Sequence, residues 1–229
     1  MRIAAAPLLF AALLAALLGA CQMAEVRDDR FVRFFDELAF GSGADGAADK
    51  RPVIRRWEGA LVWSVTGSEA FQETVAARVA LIAAIAGREA QRVPENGPIQ
   101  ITQDPAGTTY PVQDNLTACF ARVLYAGDQI VRARIRIAED TPGRIVRCTD
   151  HEMMHGLGFP SHSAAIASVM SPLHTQDRLS RWDIMAIRAL MSERLAAGTP
   201  RDVALAEVER LLPEVRAFAD TQTQAVRTD

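Results

Sequence analysis

The four histidines of this 229-residue chain all lie between His151 and His174. Two of them belong to the segment His151-Glu-Met-Met-His155. On a helix, side chains at positions i and i+4 project from the same face, so His151 and His155 can bind one metal ion. Glu152 then lies beside the metal, where it can accept a proton from metal-bound water. Because only about 0.004 matches to this motif are expected by chance at this composition, the segment predicts a metal site for hydrolysis.

A third ligand is expected shortly after this helix. Gly158 follows three residues after His155, at a position where a glycine can adopt a left-handed conformation and end a helix. A chain that turns back at this glycine can bring a further side chain to the open side of the metal. His162, four residues past the turn, is therefore the predicted third ligand.

The elements that must position these residues follow from hydrophobic spacing and from turn residues. Strands are expected at Ile54–Val65 and Pro98–Gln103, and as a hairpin over Ala118–Tyr125 and Gln129–Ala138. Helices are expected from Ser68 to about Ala86, from Thr141 through the motif, near Ser180–Ala197 and at Pro200–Ala217. Strands interleaved with helices and followed by a helical C-terminal third predict an α+β fold with a small mixed β-sheet packed on helices.

Three segments of this region carry a family resemblance: His151-Glu-x-x-His-Gly-Leu-Gly-Phe159, Ser168-Val-Met-Ser-Pro172 and Leu179-Ser-x-x-Asp-Ile-x-x-Ile187. Together they resemble the metzincin zinc peptidases, and the matrixins among them. The pattern of that clan is HExxHxxGxxH, followed by a methionine turn beneath the zinc and by a C-terminal helix. The resemblance extends over about Arg144 to Leu190.

The resemblance implies a zincin-like fold, with an HExxH active-site helix and a helical C-terminal subdomain. It implies Zn²⁺ as cofactor, a peptide or protein as substrate, and hydrolysis by zinc-bound water. The implied roles are zinc ligand for His151, His155 and His162, general base for Glu152, turn glycine for Gly158 and Met-turn methionine for Met170.

One position departs from the metzincin pattern. Its third histidine falls at Ser161 here, so the loop must contain one inserted residue for His162 to serve as the ligand. His174 is an alternative ligand, and otherwise a loop residue that lines the substrate cleft. Glu193 is the alternative if the third ligand is a glutamate from a later helix, an arrangement that Gly158 and the Met-turn disfavour.

A second resemblance leaves a second function open. The stretch Arg188–Pro200 resembles a family of uncharacterised bacterial secreted proteins, whose members often keep this architecture without the histidines. The alternative to a zinc metallopeptidase is therefore a non-catalytic zinc-binding lipoprotein that serves as a partner-binding or structural module. A zinc amidase or peptidase acting on cell-wall peptides is a substrate variant of the first function. The intact Glu152 favours catalysis, because a purely structural zinc site needs no base.

The first twenty residues are expected to be a signal peptide. Arg2 precedes eighteen uncharged, mostly apolar residues, and a transmembrane helix is the alternative interpretation. Leu18-Gly-Ala-Cys21 resembles a bacterial lipobox, which implies that Cys21 is lipidated and becomes the mature N-terminus. Gln22 after the cysteine fits the outer membrane. We therefore expect a lipid-anchored protein of the bacterial cell envelope that faces the periplasm.

These assignments divide the chain into four segments. Residues 1–20 form the lipoprotein signal peptide, and residues 21–50 form a lipidated N-terminus with a short helix and a linker. Residues 51–218 form the metzincin-like catalytic domain, and residues 219–229 form a C-terminal tail. With Cys21 lipidated, Cys119 and Cys148 remain in an oxidising compartment, where a disulfide between them is expected; two buried free thiols are the alternative.

The composition excludes several other classes of protein. Hydrophobic residues make up 49% and charged residues 23% of the chain, values typical of a globular domain rather than of a disordered chain. The net charge of −3, from 25 basic and 28 acidic residues, shows no electrostatic footprint for nucleic acid, so no nucleic-acid partner is expected.

Overall fold

The computed structural model describes residues 30–41, 52–112 and 115–225. The predicted signal peptide, the lipidation site Cys21 and most of the predicted linker lie outside the described residues. Among the helices within these three ranges, none combines the length and the apolar character that crossing a bilayer requires.

The described residues form five helices and a mixed five-stranded sheet. In chain order the elements are α1 (30–40), β1 (Leu61–Thr66), α2 (Glu69–Ala86), β2 (Ala90–Arg92), β3 (Ile99–Gln103), β4 (Tyr110–Val112), β5 (Asn115–Thr117), β6 (Cys119–Ala126), β7 (Gln129–Ile137), α3 (Pro142–Leu157), α4 (Arg181–Leu190) and α5 (Arg201–Ala225). The strand order is β2-β1-β3-β7-β6, and β4 pairs with β5 in a separate hairpin. The predicted α+β class with a mixed sheet is confirmed.

The sheet has one antiparallel pair, at the edge next to the helix that carries the motif. Strands β1, β2, β3 and β7 run parallel, whereas the edge strand β6 pairs antiparallel with β7. The sequence predicts that alternate residues of β7 are buried, from Val131 to Ile137. Ala133, Ile135 and Ile137 are buried, whereas Val131 is exposed. Helix α3 packs on β6 and β7 and against α2. The motif therefore sits on a helix that is held between the sheet and another helix.

The predicted strand over Ile54–Val65 forms only from Leu61 onward. The preceding segment has other partners, because the buried Arg56 donates hydrogen bonds to the carbonyls of Leu190 and Ser192. The indole Nε1 of Trp57 donates to the carbonyl of Gly156, near the end of α3. The segment thus connects the end of the motif helix to the end of α4, and it pairs with the sheet only through an isolated bridge between Arg56 and Gln129 of β7.

Helix α1 belongs to the hydrophobic core of the domain. Its apolar face is fully buried and consists of Phe31, Phe34, Phe35 and Leu38. The sequence predicts this helix as part of the N-terminal segment 21–50, since its apolar face alone does not reveal its partner. At the other end, α5 continues to Ala225 through the fully buried Ala219, past the predicted start of the tail. The folded unit therefore includes residues on both sides of 51–218.

Candidate metal centre

Three histidine side chains converge next to the sheet. His151 and His155 lie one turn apart on α3, and His162 comes from the loop that follows this helix. The Nε2 atom of His151 lies 3.2 Å from that of His155 and 3.1 Å from that of His162. Among the described residues these three form a group whose ligand atoms all lie within 4.8 Å of one another. The structure therefore brings together the three predicted ligands.

Hydrogen bonds at the other ring nitrogens set the tautomers of two of these histidines. The Nδ1 of His151 lies 2.7 Å from the carbonyl oxygen of Val169, and the Nδ1 of His155 lies 2.7 Å from that of Phe159. A carbonyl oxygen only accepts hydrogen bonds, so both Nδ1 atoms carry the proton and both Nε2 atoms are unprotonated. Two lone pairs at 3.2 Å repel each other, and a cation between them removes that repulsion.

Burial keeps the imidazoles of His151 and His155 neutral. It lowers the pKa of His151 to about 4, with a smaller contribution in the same direction from the charges of His162 and Arg147. Burial also lowers the pKa of His155 well below its usual value. Neutral imidazole is the form that binds metal.

The spacing of the ring nitrogens fits a tetrahedral zinc ion. With zinc–nitrogen bonds of about 2.0–2.1 Å, two ligands at the tetrahedral angle lie about 3.3 Å apart. The observed separations of 3.2 and 3.1 Å are close to that value. Three protein ligands leave one position for water or substrate, which is the arrangement of a catalytic rather than a structural zinc site.

Glu152 is buried beside the triad, at the base of a cavity. Its side chain and that of His151 line a space of about 420 Å³ between the start of α3 and the start of β6. Burial raises the pKa of Glu152 to about 8, and a hydrogen bond from the backbone N–H of Ala121 opposes this rise. A carboxyl group that changes protonation near neutral pH can act as a proton acceptor and donor.

Gly158 ends α3 and reverses the chain toward His162. Its φ of 132° is a conformation that side-chain-bearing residues rarely adopt. A Cβ atom at this position would lie 2.0 Å from the carbonyl oxygen of Arg55, so the segment before β1 leaves no room for a side chain. The predicted turn glycine is therefore required both by the backbone conformation and by a close backbone contact.

The turn around Met170, predicted as the Met-turn, is hydrogen-bonded both to His151 and to the loop that carries His162. Met170 is fully buried, and its carbonyl accepts a hydrogen bond from the backbone N–H of Ser163, next to His162. Asp183 receives hydrogen bonds from the backbone N–H groups of Val169 and Ser180. Because the carbonyl of Val169 accepts the hydrogen bond from His151, Asp183 fixes the peptide segment that orients this imidazole.

A second buried carboxylate, that of Asp150, connects α3 to α2 and to the segment before α4. Asp150, adjacent to the first histidine, is fully buried and accepts two hydrogen bonds from Arg78 of α2, at 2.8 and 2.7 Å. It also accepts one from the backbone N–H of Leu179, just before α4. Burial raises the pKa of Asp150 and the pairing with Arg78 opposes that rise. This pair, 72 residues apart in sequence, was not predicted.

Helix α1 holds the loop that carries the third histidine. The Glu37 carboxylate accepts a hydrogen bond from Ser163 Oγ at 2.5 Å, and the carbonyl of Leu38 accepts one from the backbone N–H of Ser161. Phe35 packs edge-on against Phe159, which precedes this loop. The two neighbours of His162 in the chain, Ser161 and Ser163, are therefore both hydrogen-bonded to α1.

The remaining predicted residues are also placed by the structure. Cys119 at the start of β6 and Cys148 on α3 are joined by a disulfide, which ties the edge strand to the motif helix. His174 and Glu193, the alternative ligands, are exposed and do not belong to the histidine group. Asp183 forms a capping box with Ser180 at the start of α4. Its contact with Val169, 14 residues away, had no sequence signal.

The chain matches the protein family described as "Protein of unknown function (DUF2927)" over residues 28–214. The match begins before α1 and ends within α5, so it includes all of α1, which lies outside the predicted catalytic domain, and the first part of α5. No curated protein matches the chain.

Proposed function

We propose that this chain, which belongs to the DUF2927 family, is a zinc-dependent peptidase that hydrolyses peptide bonds. The observation that carries the proposal is the convergence of three Nε2 atoms, two of them unprotonated, beside a buried glutamate that faces a cavity. A purely structural zinc site has no need of that glutamate. We propose a zincin-like fold of metzincin type on the same grounds, supported by the glycine turn at Gly158 and the turn around Met170.

The imidazoles of His151, His155 and His162 would hold the ion. When bound, zinc supplies a Lewis acid for a carbonyl oxygen and makes water acidic enough to lose a proton near neutral pH. The Nδ1–H bonds to Val169 and Phe159 keep two of the rings in the tautomer that presents Nε2. These bonds also fix the ring planes, so the ligands need no rearrangement to bind the ion.

Glu152 would move the proton. Its carboxylate accepts a proton from the attacking water and returns it to the leaving nitrogen of the cleaved peptide bond. The side chain is almost fully buried, so bulk water does not compete for the carried proton. The backbone N–H of Ala121 on the edge strand favours the ionised form of this carboxyl group, which is the form that accepts a proton.

The predicted lipid anchor at Cys21 would keep this activity in the bacterial cell envelope. Lipidation, outer-membrane location and orientation toward the periplasm stay predictions from the sequence. They agree with the disulfide between Cys119 and Cys148, since such bonds persist in oxidising compartments.

The experiment is a comparison of Glu152→Gln with the unchanged protein. We expect Glu152→Gln to bind one equivalent of zinc and to lose at least about 100-fold in the rate of cleavage of an unfolded protein substrate. Glu193→Gln, which alters an exposed glutamate outside the site, is the matched control and should retain both properties. Full activity in Glu152→Gln contradicts the proposal. Bound zinc with no cleavage by the unchanged protein favours the non-catalytic zinc-binding lipoprotein instead.

A further inference from the structure

The cavity beside His151 and Glu152 has a wall that neither the metal site nor the proton transfer uses. This wall is formed by the first two turns of α3, where Arg144 and Arg147 line the space. Residues at the start of β6 form the opposite wall, and the disulfide between Cys119 and Cys148 lies between the two. At about 420 Å³, the cavity has room for a substrate side chain or a chain terminus.

The charges on this wall are only partly balanced by the protein. Glu139 contacts Arg144 at 3.4 Å across an exposed, weak ion pair. Arg147 is exposed, and among the described residues no ion pair involves it. Glu139 and Glu152 are the acidic residues that line the cavity, and Glu152 has its proposed role at the metal. One guanidinium, that of Arg147, therefore faces the cavity without an acidic partner.

The position of Arg144 at the start of α3 adds to the positive potential of this wall. The N-terminus of a helix carries a partial positive charge, which favours acidic residues in the first turn. The first turn of α3 contains no acidic residue, and Thr141 provides no side-chain cap. Arg144 lies in this first turn and adds a charge of the same sign as the helix end, whereas Arg147 lies in the second turn. Because Arg144 pairs with Glu139, Arg147 is the arginine of this wall whose charge is left for a ligand.

We propose that Arg147, assisted by Arg144, binds a carboxylate of the substrate in this cavity. The inference rests on the proposed peptidase function and specifies its substrate class: peptides that carry a carboxylate close to the cleaved bond. Arg147 and His151 are separated by one helical turn, about 6 Å along the axis. An extended peptide advances about 3.3 Å per residue, which places the recognised carboxylate within about two residues of the cleaved bond. The carboxylate belongs either to an Asp or Glu side chain or to the C-terminus of the peptide.

The experiment uses pairs of quenched fluorogenic peptides with the full-length zinc-loaded protein. In the first kind of pair, the two peptides carry Glu or Gln at the same position, and each position near the cleaved bond is tested in turn. In the second kind of pair, the two peptides have the same sequence and end in a free or an amidated C-terminus. We expect kcat/KM to favour the carboxylate-bearing member of one pair by about tenfold, because charge-assisted hydrogen bonds from Arg exceed neutral ones. The ratio should fall toward one in Arg147→Ala and decrease as salt is added. The pair that responds identifies the source of the carboxylate.

Arg122→Ala is the matched control, since Arg122 is an exposed arginine of β6 that does not line the cavity. This variant should keep the ratio of the unchanged protein. A ratio near one for both pairs in the unchanged protein overturns the inference, as does a preference that survives in the double variant Arg144→Ala/Arg147→Ala.

A binding measurement separates this inference from the proposed function. The same peptides, without quencher, are titrated with Glu152→Gln and followed by fluorescence anisotropy. Tighter binding of the carboxylate-bearing peptide, lost in Glu152→Gln/Arg147→Ala, supports the inference even if the unchanged protein cleaves nothing. Equal binding of both members of each pair contradicts it, whether or not cleavage occurs.

Discussion

Two glycines at the end of the motif helix should respond to the same substitution with opposite signs. At Gly158, alanine must adopt a φ near 132°, and its Cβ would lie 2.0 Å from the carbonyl oxygen of Arg55. At Gly156, a Cβ would meet Ala133 and Ile135 at 3.6 Å, which is ordinary van der Waals contact within a regular helix. The two sites therefore separate a backbone requirement from a general intolerance of this region to change.

The expected magnitudes follow from these contacts. A non-glycine residue in a sparsely populated backbone conformation costs about 1–3 kcal/mol. Real Cβ atoms essentially never approach another heavy atom within 3.0 Å, so the Arg55 segment must also move by about 1 Å. That segment holds Arg56 and Trp57 in buried hydrogen bonds. We expect Gly158→Ala to lower the free energy of unfolding by about 3 kcal/mol or more. Gly156→Ala should raise it by about 0.5–1 kcal/mol, because alanine favours the helix.

The assay is urea unfolding followed by tryptophan fluorescence, with a chelator present so that metal binding does not contribute to stability. Trp57 and Trp63 are both buried, so their emission should report the loss of the core. Equal stability of Gly158→Ala and the unchanged protein would refute the requirement for glycine at the turn. A comparable loss in Gly156→Ala would show that the effect is not specific to the turn.

Three further predictions concern the supports of the site. The disulfide between Cys119 and Cys148 closes a loop with a sequence separation of 29. Its reduction should lower the free energy of unfolding by about 3–4 kcal/mol, as measured by urea unfolding. The reductant should not affect the stability of a variant in which both cysteines are replaced. Glu37→Ala should raise the zinc dissociation constant by about tenfold or more in a chelator competition, because it releases the loop that carries the third ligand. Asp36→Ala, which alters a neighbouring carboxylate on the same helix, should leave the constant unchanged. Equal zinc affinities of the two variants would contradict a role for α1. Burial raises the pKa of Asp183 from 3.8 to about 6, so the stability from its protonation is complete below pH 4 and is lost as the pH rises through 6. The unfolding free energy of the unchanged protein, relative to Asp183→Asn, should therefore fall by about 2.5 kcal/mol from pH 4 to pH 8, and a pH-independent difference would contradict this.

The candidate site could be predicted from sequence where its geometry is local. His151 and His155 lie on one face because they are four residues apart on a helix, and Gly158 marks the end of that helix. His162 is near enough along the chain for the turn to place it. The helix from Ser68 to Ala86 and the hairpin of β6 and β7 follow in the same way from capping residues and alternation.

The supports of the site could not be predicted, because they connect distant parts of the chain. Arg78 and Asp150 form a buried pair across 72 residues, and neither shows by its neighbours that it is buried. Glu37 of α1 accepts a hydrogen bond from Ser163, 126 residues away in the chain. The apolar face of α1 indicates that this helix is buried, but it does not indicate which part of the protein the helix packs against. The short strand Ala90–Arg92 is exposed at every residue, so it has no hydrophobic pattern to reveal it.

The central claim is that three imidazoles bind one zinc ion. Crystals of the protein grown with zinc and measured on both sides of the zinc absorption edge test this claim directly. We predict one anomalous peak per chain, about 2.0–2.1 Å from the Nε2 atoms of His151, His155 and His162, and markedly weaker zinc binding in His162→Ala. A peak held by other side chains, or no peak among these three rings, would contradict the account.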